Sequence, residues 1–241
     1  MSEKSYIYAI GRISVLETKL LPSSVIWGFL EQSWEGIVNQ VRNNWFNQEV
    51  SDSFDFDKFE QYFDVERKLT FNTVAELIPE KRLIEILKHF NDFRFISSAV
   101  ASIPYPLLLK YLRKKIDYKN LEIFLRGGEE FLEGGFYSVE FWKKSCQSKE
   151  LRDLSDDMKM LKEELETLYK EEENYLLFFC RANFERKILD ESKKLFADPS
   201  RLFYYFLLKD LEISIVRFFI YGKFYGVRQD KLKRVLEVYY G

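Results

Sequence analysis

Between Leu151 and Phe196 the chain has neither a proline nor a glycine, and all 241 residues contain only 5 prolines and 10 glycines. Both residue types interrupt regular structure, so their scarcity favours long helices over a loop-rich all-β fold. Within that segment Met160, Leu161, Leu165, Leu168, Tyr169, Leu176 and Leu177 form an apolar stripe among Glu and Lys. The pattern predicts a long charged helix over about 151–196, reaching about 65 Å at 1.5 Å per residue. The fold class expected is all-α.

The rest of the chain reads the same way. Tyr6, Ile10, Ile13, Leu16 and Leu20 recur at steps of three and four, marking one face of a first helix. Pro22-Ser23-Ser24 interrupts it, with Ser24 as an expected cap for a helix from about Val25 that carries Ile26, Trp27, Phe29, Leu30, Trp34, Ile37 and Val41. Glu49 to Glu66 holds seven acidic residues and one base, Lys58, and reads as a solvated acidic face or a dock for a basic partner. Leu77, Leu83, Ile84, Ile86 and Leu87 lead into His89, and a further helical unit starts at Leu107 after Pro104 and Pro106. Gly127-Gly128 and Gly134-Gly135 mark an irregular passage. Asp198-Pro199-Ser200 is a stop and a fresh helix start, and Gly222 and Gly226 are expected to end helices.

Three runs share a plan in which an apolar helix reaches an acidic residue and continues as a second apolar-basic run. They are Ile86–Ile96, Tyr111–Glu122 and Phe206–Arg217, superposed by aligning Asp92, Asp117 and Glu212. Such repetition suggests stacked helical units over about 70–105, 106–145 and 198–241, with the charged helix between the last two, all within one all-helical body spanning 1–241.

Chemistry-bearing patterns are sparse. The single histidine, His89, rules out paired Glu-x-x-His di-iron motifs and a two-His zinc protease helix, and it reads as a structural residue at a helix end. Neither glycine pair fits a phosphate-binding loop or a dinucleotide fingerprint. Glu171-Glu172-Glu173 is explained by a solvated helix face. No catalytic residue, cofactor or metal ligand is assigned, and the chain is read as a non-enzyme. A formal net charge of -2 argues against a nucleic-acid partner, because phosphate neutralisation supplies most of that affinity. The basic clusters Arg113-Lys114-Lys115 and Arg228, Lys231, Lys233, Arg234 are accordingly read as solvated faces. Cys146 and Cys180 are expected to be reduced thiols of a cytosolic protein. No signal peptide is read at the N-terminus, and the longest apolar runs, Leu202–Leu208 and Tyr175–Cys180, fall far short of the ~18 residues of a membrane span. The 23 Phe, 15 Tyr and 4 Trp are read as core filler, in part as interface anchors.

Tyr6-Ile7-Tyr8-Ala9-Ile10-Gly11-Arg12-Ile13 through Leu16-Glu17-Thr18-Lys19-Leu20-Leu21, then Asp117 to Leu121, Phe131 to Gly135 and Asp198 to Gly226, taken in that order, resemble the central-stalk C-type subunits of the A/V-type rotary ATPases (V-type ATP synthases), the family that includes the d-type subunits of V-ATPases. The first of these segments is similar to that family's opening helix. Asp117-Tyr118-Lys119-Asn120-Leu121, with Arg126 following, is similar to its Asp-x-x-Asn-Leu helix start. Phe131-Leu132-Glu133-Gly134-Gly135 resembles the Leu-x-x-Gly-Gly that comes next. Asp198-Pro199, Lys209, Glu212, Arg217, Gly222-Lys223 and Gly226 fall where the family carries a Pro, a Lys/Glu-rich helix and a Gly-Lys-x-x-Gly turn. The family runs longer, and Phe95 and Ile215 stand where its repeats often have Asn, so a compact variant is implied.

The resemblance implies a funnel of three related helical sub-bundles about a pseudo-threefold axis. Such a protein sits on the proteolipid ring at the cytoplasmic face and receives the shaft, made of the D and F proteins of the rotor, in a socket. It turns with the rotor and passes torque between ATP synthesis or hydrolysis and ion transport, without chemistry of its own. Lys119, Glu122, Arg126, Glu212 and Arg217 are the residues expected to line the socket. The alternative reading is a helical scaffold or adaptor of an unrelated cytosolic assembly.

Overall fold

The computed structural model describes residues 4–45, 56–195 and 198–240, and among them every regular element is helical. In chain order these are α1 (Lys4–Glu17), α2 (Ser23–Gly28), α3 (Trp34–Trp45), α4 (Phe56–Ala75), α5 (Lys81–Lys88) and α6 (Phe93–Ala99). The second half has α7 (Pro106–Leu125), α8 (Val139–Ser148), α9 (Asp156–Lys170), α10 (Leu177–Leu189), α11 (Ser200–Phe224) and α12 (Gln229–Tyr240). Short 3-10 turns follow α2, α6 and α10 and precede α10. No described helix is long and apolar enough to cross a membrane.

Two compact units form. One combines Met1–Pro79 with Leu202–Gly241, and the other is Glu80–Arg201. In the first, α11 is the central rod: Leu202, Phe203, Leu211, Ile215, Val216, Phe219 and Ile220 are all buried, an apolar surface that wraps most of the helix. Around it α1 contributes Tyr6, Ile10 and Ile13, α3 contributes Ile37, Val38 and Val41, and α12 contributes Leu232, Val235 and Leu236. Phe29 meets Phe219 at 5.9 Å between ring centroids and Phe63 meets Tyr221 at 6.4 Å, so much of the aromatic surplus fills core.

In the second unit α7 takes the central place and packs against α6, α8, α9 and α10. Pro106 sits at its first turn, where a missing N–H costs nothing. Asp92 caps α6 by accepting from the Phe95 N–H at 3.0 Å, and Ser138 caps α8 through Phe141 at 3.2 Å. His89 forms the C-terminal cap of α5 and stacks on Phe95 at 4.5 Å.

Three local expectations are corrected. The segment 151–196 is no single helix: α9 ends at Lys170 and α10 starts at Leu177, with Glu172 between them in the left-handed region at φ 57°. Its last residue, Phe196, lies outside the described residues. The helix that begins after Pro22 stops at Gly28, restarts at Trp34, and has no side-chain cap. Gly222 does not end a helix but lies inside α11, where a Cβ would come within 2.6 Å of Leu232 Cδ2. Of the acidic stretch, residues 49–55 lie outside the described residues. In α4, Glu60 and Glu66 are engaged internally, by Arg217 and Lys209.

Candidate functional site

The best-built polar site lies in the second unit, where residues 127–138 cross α7 as an irregular strap. Asp117 and Asn120, three apart, face the same side of α7. Asn120 Nδ2 donates to the Leu132 carbonyl at 2.8 Å, and the Leu132 N–H donates to Asn120 Oδ1 at 2.7 Å. This pairs both ends of one amide with one residue of backbone. Asp117 accepts from the Phe136 N–H at 2.9 Å and the Tyr137 N–H at 3.3 Å. From α6, Ser97 donates to the Glu133 carbonyl at 2.6 Å.

The glycines make this approach feasible. A Cβ on Gly135 would stand 2.2 Å from Asp117 Oδ1, and one on Gly134 would stand 2.5 Å from Val100 Cγ1, at a φ of 91°. The strap's aromatic rings close over Trp142, with Phe131 and Tyr137 each at 5.8 Å. Phe136 instead points outward, half exposed, with Arg113 and Lys114 at 5.7 and 5.5 Å from its ring. The sequence placed Asp117 and Asn120 in one motif and Gly134-Gly135 in another; the fold joins them.

Asp117 is fully buried and has no cation bonded to it. Lys114 turns to Asp157 at 2.8 Å, and Lys115 turns to Glu185. Burial therefore raises the Asp117 carboxyl to about 6, against the weaker downward pull of the two N–H bonds and of Lys114.

The five residues expected to line a socket separate into different environments. Lys119 bonds Glu122 at 2.9 Å, and Glu122 is buried. Arg126 caps the end of α7, exposed, with its Nε 3.0 Å from the Tyr169 hydroxyl and its guanidinium over that ring. Glu212 is buried in α11, where it takes Lys209 at 2.7 Å and the Leu21 N–H. Arg217 pairs with Glu60 at 2.9 Å. Thus Lys119 and Glu122 are brought together, while Glu212 and Arg217 each bind another residue.

A buried ionic arrangement recurs in both units. In α7 and α10, Lys115 reaches both Glu185 oxygens at 2.8 Å, Tyr111 donates to Glu185 at 2.6 Å, and the ammonium lies 4.1 Å from the Phe90 ring centre. Burial and the Glu185 charge hold the Tyr111 phenol far above its ordinary value, so it stays a donor. In α11 and α4, Lys209 reaches Glu66 at 3.2 Å, with Tyr205 one helical turn before it. Tyr-x-x-x-Lys is thus shared by α7 and α11. The aligned acids Asp117 and Glu212 also share a role, since each receives backbone N–H groups from a loop, whereas Asp92 caps a helix. The expectation of a solvated face at Arg113-Lys114-Lys115 is corrected at Lys115, which is fully buried. The available signal was its place among Tyr111, Leu112 and Tyr118; its partner, seventy residues on, carried none.

A shallow groove of about 290 Å³ opens along α7, α9 and α10, floored by Leu161, Phe184 and Ile188. Two of its rim lysines are already paired, Lys110 with Glu191 at 2.7 Å and Lys114 with Asp157. Among the described residues no group of His, Cys, Asp and Glu is arranged to hold a metal ion. No family model matches the chain, and neither the curated proteins nor the solved structures contain a match to it.

Proposed function

We propose that this chain is the central-stalk adaptor of an A/V-type rotary ATPase, coupling the D–F shaft to the proteolipid ring and carrying torque between ATP turnover and proton or sodium movement. The observation that carries the reading is the joining of two segments on which the resemblance rests. Asp117 and Asn120 of the Asp-x-x-Asn-Leu motif hold the backbone of the Gly-Gly motif, with hydrogen bonds at 2.7–3.3 Å. Motifs that merely recurred by composition have no reason to complete one another in space.

The Gly-Lys-x-x-Gly turn supports the reading in the same way. Gly226 closes α11 with φ 69°, the Val227 N–H donates to the Gly222 carbonyl at 2.7 Å, and Lys223 reaches the Leu30 carbonyl at 2.6 Å. A torque-transmitting part needs stiff helices and interfaces; among the described residues every regular element is helical and no helix is long and apolar enough to cross a membrane, which is consistent with a peripheral protein held at the membrane by the complex. In this reading the three helical repeats form sub-bundles of a funnel, in compact form. Lys119, Glu122, Arg126, Glu212 and Arg217 are the socket candidates, and the chain itself is non-catalytic.

The test is co-elution of the purified protein with detergent-solubilised proteolipid ring and, separately, with the D–F shaft. Binding to both is expected. Binding to neither, by protein shown to be helical by circular dichroism, overturns the coupling role and leaves the scaffold reading in its place.

A further inference from the structure

The strap over α7 buries a carboxylate to which no cation is bonded, and that has a consequence for its closure. Asp117 lies beneath Gly135 and Phe136 and receives only two backbone N–H groups. The charged and titratable groups around it are few. On α7, Arg113 and Lys114 lie over the Phe136 ring at 5.7 and 5.5 Å; Lys114 is committed to Asp157 and Ser155 and draws the carboxyl down only in part, and Lys115 is committed to Glu185 on α10. On α9, Asp157 adds a like charge facing the same site. From the strap, the Tyr137 hydroxyl contacts Ser155, and from α6 the neutral Ser97 reaches the Glu133 carbonyl while Arg94 pairs with Glu130 of the strap at 3.5 Å, both side chains exposed.

Two backbone N–H groups and no bonded cation do not replace the hydration an ionised carboxylate loses on burial, so the closed strap favours the protonated acid. When the strap lifts, water reaches Asp117 and that preference disappears. We propose that residues 127–138 form a proton-linked clasp, which closes on α7 with uptake of one proton by Asp117 and loosens as that proton leaves. The proposal does not depend on the coupling role.

The sign follows from the two states. The closed-state carboxyl titrates at about 6, raised chiefly by burial, whereas an open, hydrated aspartate keeps its ordinary value near 3.8. Closing therefore binds a proton in the interval between them, and acidification through pH 6 strengthens the closed form. From pH 8 to pH 5 the closed-to-open ratio rises about tenfold, one pKa unit corresponding to a factor of ten. Asn120, Ser97 and the Trp142 stack hold the strap without titrating, so the clasp is tuned by pH and not abolished.

Hydrogen–deuterium exchange of the full chain tests this, read on the Phe136 and Tyr137 amides and normalised to their intrinsic rates at each pH. Peptides from α10 report global folding alongside. Protection at the strap should be about tenfold greater at pH 5 than at pH 8, while Asp117→Asn should make it independent of pH. A flat or reversed dependence in the natural protein overturns the clasp, as does an unchanged slope in Asp117→Asn. Should Asp117→Asn fail to fold, Asn120→Ala serves instead. It should exchange faster at both pH values and keep the tenfold slope; loss of the slope there overturns the assignment to Asp117.

Discussion

At the scale of single residues, the most consequential group is a lysine where an apolar side chain is expected. Lys115 is 0% exposed and Glu185 1%, so both charges have left water, and their mutual bonds, Tyr111 and the Phe90 ring replace the lost hydration. Deleting Glu185 strands Lys115, and deleting Lys115 leaves buried Glu185 with only the Tyr111 hydroxyl and the more distant Arg181, at 3.6 Å. Lys115→Met should therefore cost about 3–5 kcal/mol, seen as a lower urea midpoint at unchanged slope. Lys115→Met with Glu185→Leu should cost less than Lys115→Met alone, because no buried charge is left over. If the double variant is the less stable of the two, shape and not charge balance governs the site. Lys115 was misread with Arg113 and Lys114 as part of a solvated face, and its partner was not legible either, because nothing in a linear sequence says which of many glutamates reaches it. Asp117 and Asn120 were legible only as a motif; their work on the strap depends on a loop that glycine lets approach to contact distance.

At the scale of elements, four helices end in one and the same way, and only two of those ends could be read. Helix α7 closes at Gly127 and α11 at Gly226, each with φ near 70° and the paired bonds that follow: Gly128 N–H to Ile123 O at 2.8 Å, and Val227 N–H to Gly222 O at 2.7 Å. Helix α9 closes identically, with the Glu173 N–H on the Leu168 carbonyl at 2.9 Å, but its left-handed residue is Glu172. Helix α8 does so at Lys149. A glutamate in a Glu- and Lys-rich stretch gives no warning of a break, which is why one long helix was expected where two occur. Pro106 and Asp198, by contrast, act through local chemistry and were readable. A non-glycine residue in the left-handed region costs roughly 1–2 kcal/mol, and glycine's extra chain entropy offsets part of the relief. Glu172→Gly should thus stabilise the protein by about 0.5–1 kcal/mol, measured as a raised urea midpoint. A loss of stability would mean that the Glu172 side chain holds the break in place.

At the scale of the whole molecule, helical class came through because hydrophobic periodicity and the shortage of breakers act everywhere along the chain. The partition into two compact units did not, since it depends on α11 returning to the unit begun by α1, a contact between the chain's far ends. The same long-range packing decides which socket candidates can be tested cleanly. Glu122 and Glu212 are buried and bonded, so changing either alters the fold as well as any surface. Reversing Arg217 sets a carboxylate against Glu60 at salt-bridge distance, and that repulsion confuses a binding loss with a folding loss. Arg126 avoids this difficulty, being exposed at the end of α7 with the Tyr169 ring and hydroxyl beside it. A surface contact of that kind contributes little to stability, whereas on the proposed coupling role a cation in the socket that meets an opposite charge on its partner affects both association rate and affinity. Arg126→Glu should accordingly leave the urea midpoint within about 0.5 kcal/mol of the natural protein and weaken D–F binding at least tenfold, or about 1.4 kcal/mol, with the loss shrinking at high salt. Unchanged shaft affinity at low salt would take Arg126 out of the socket and leave the end of α7 as an ordinary helix terminus.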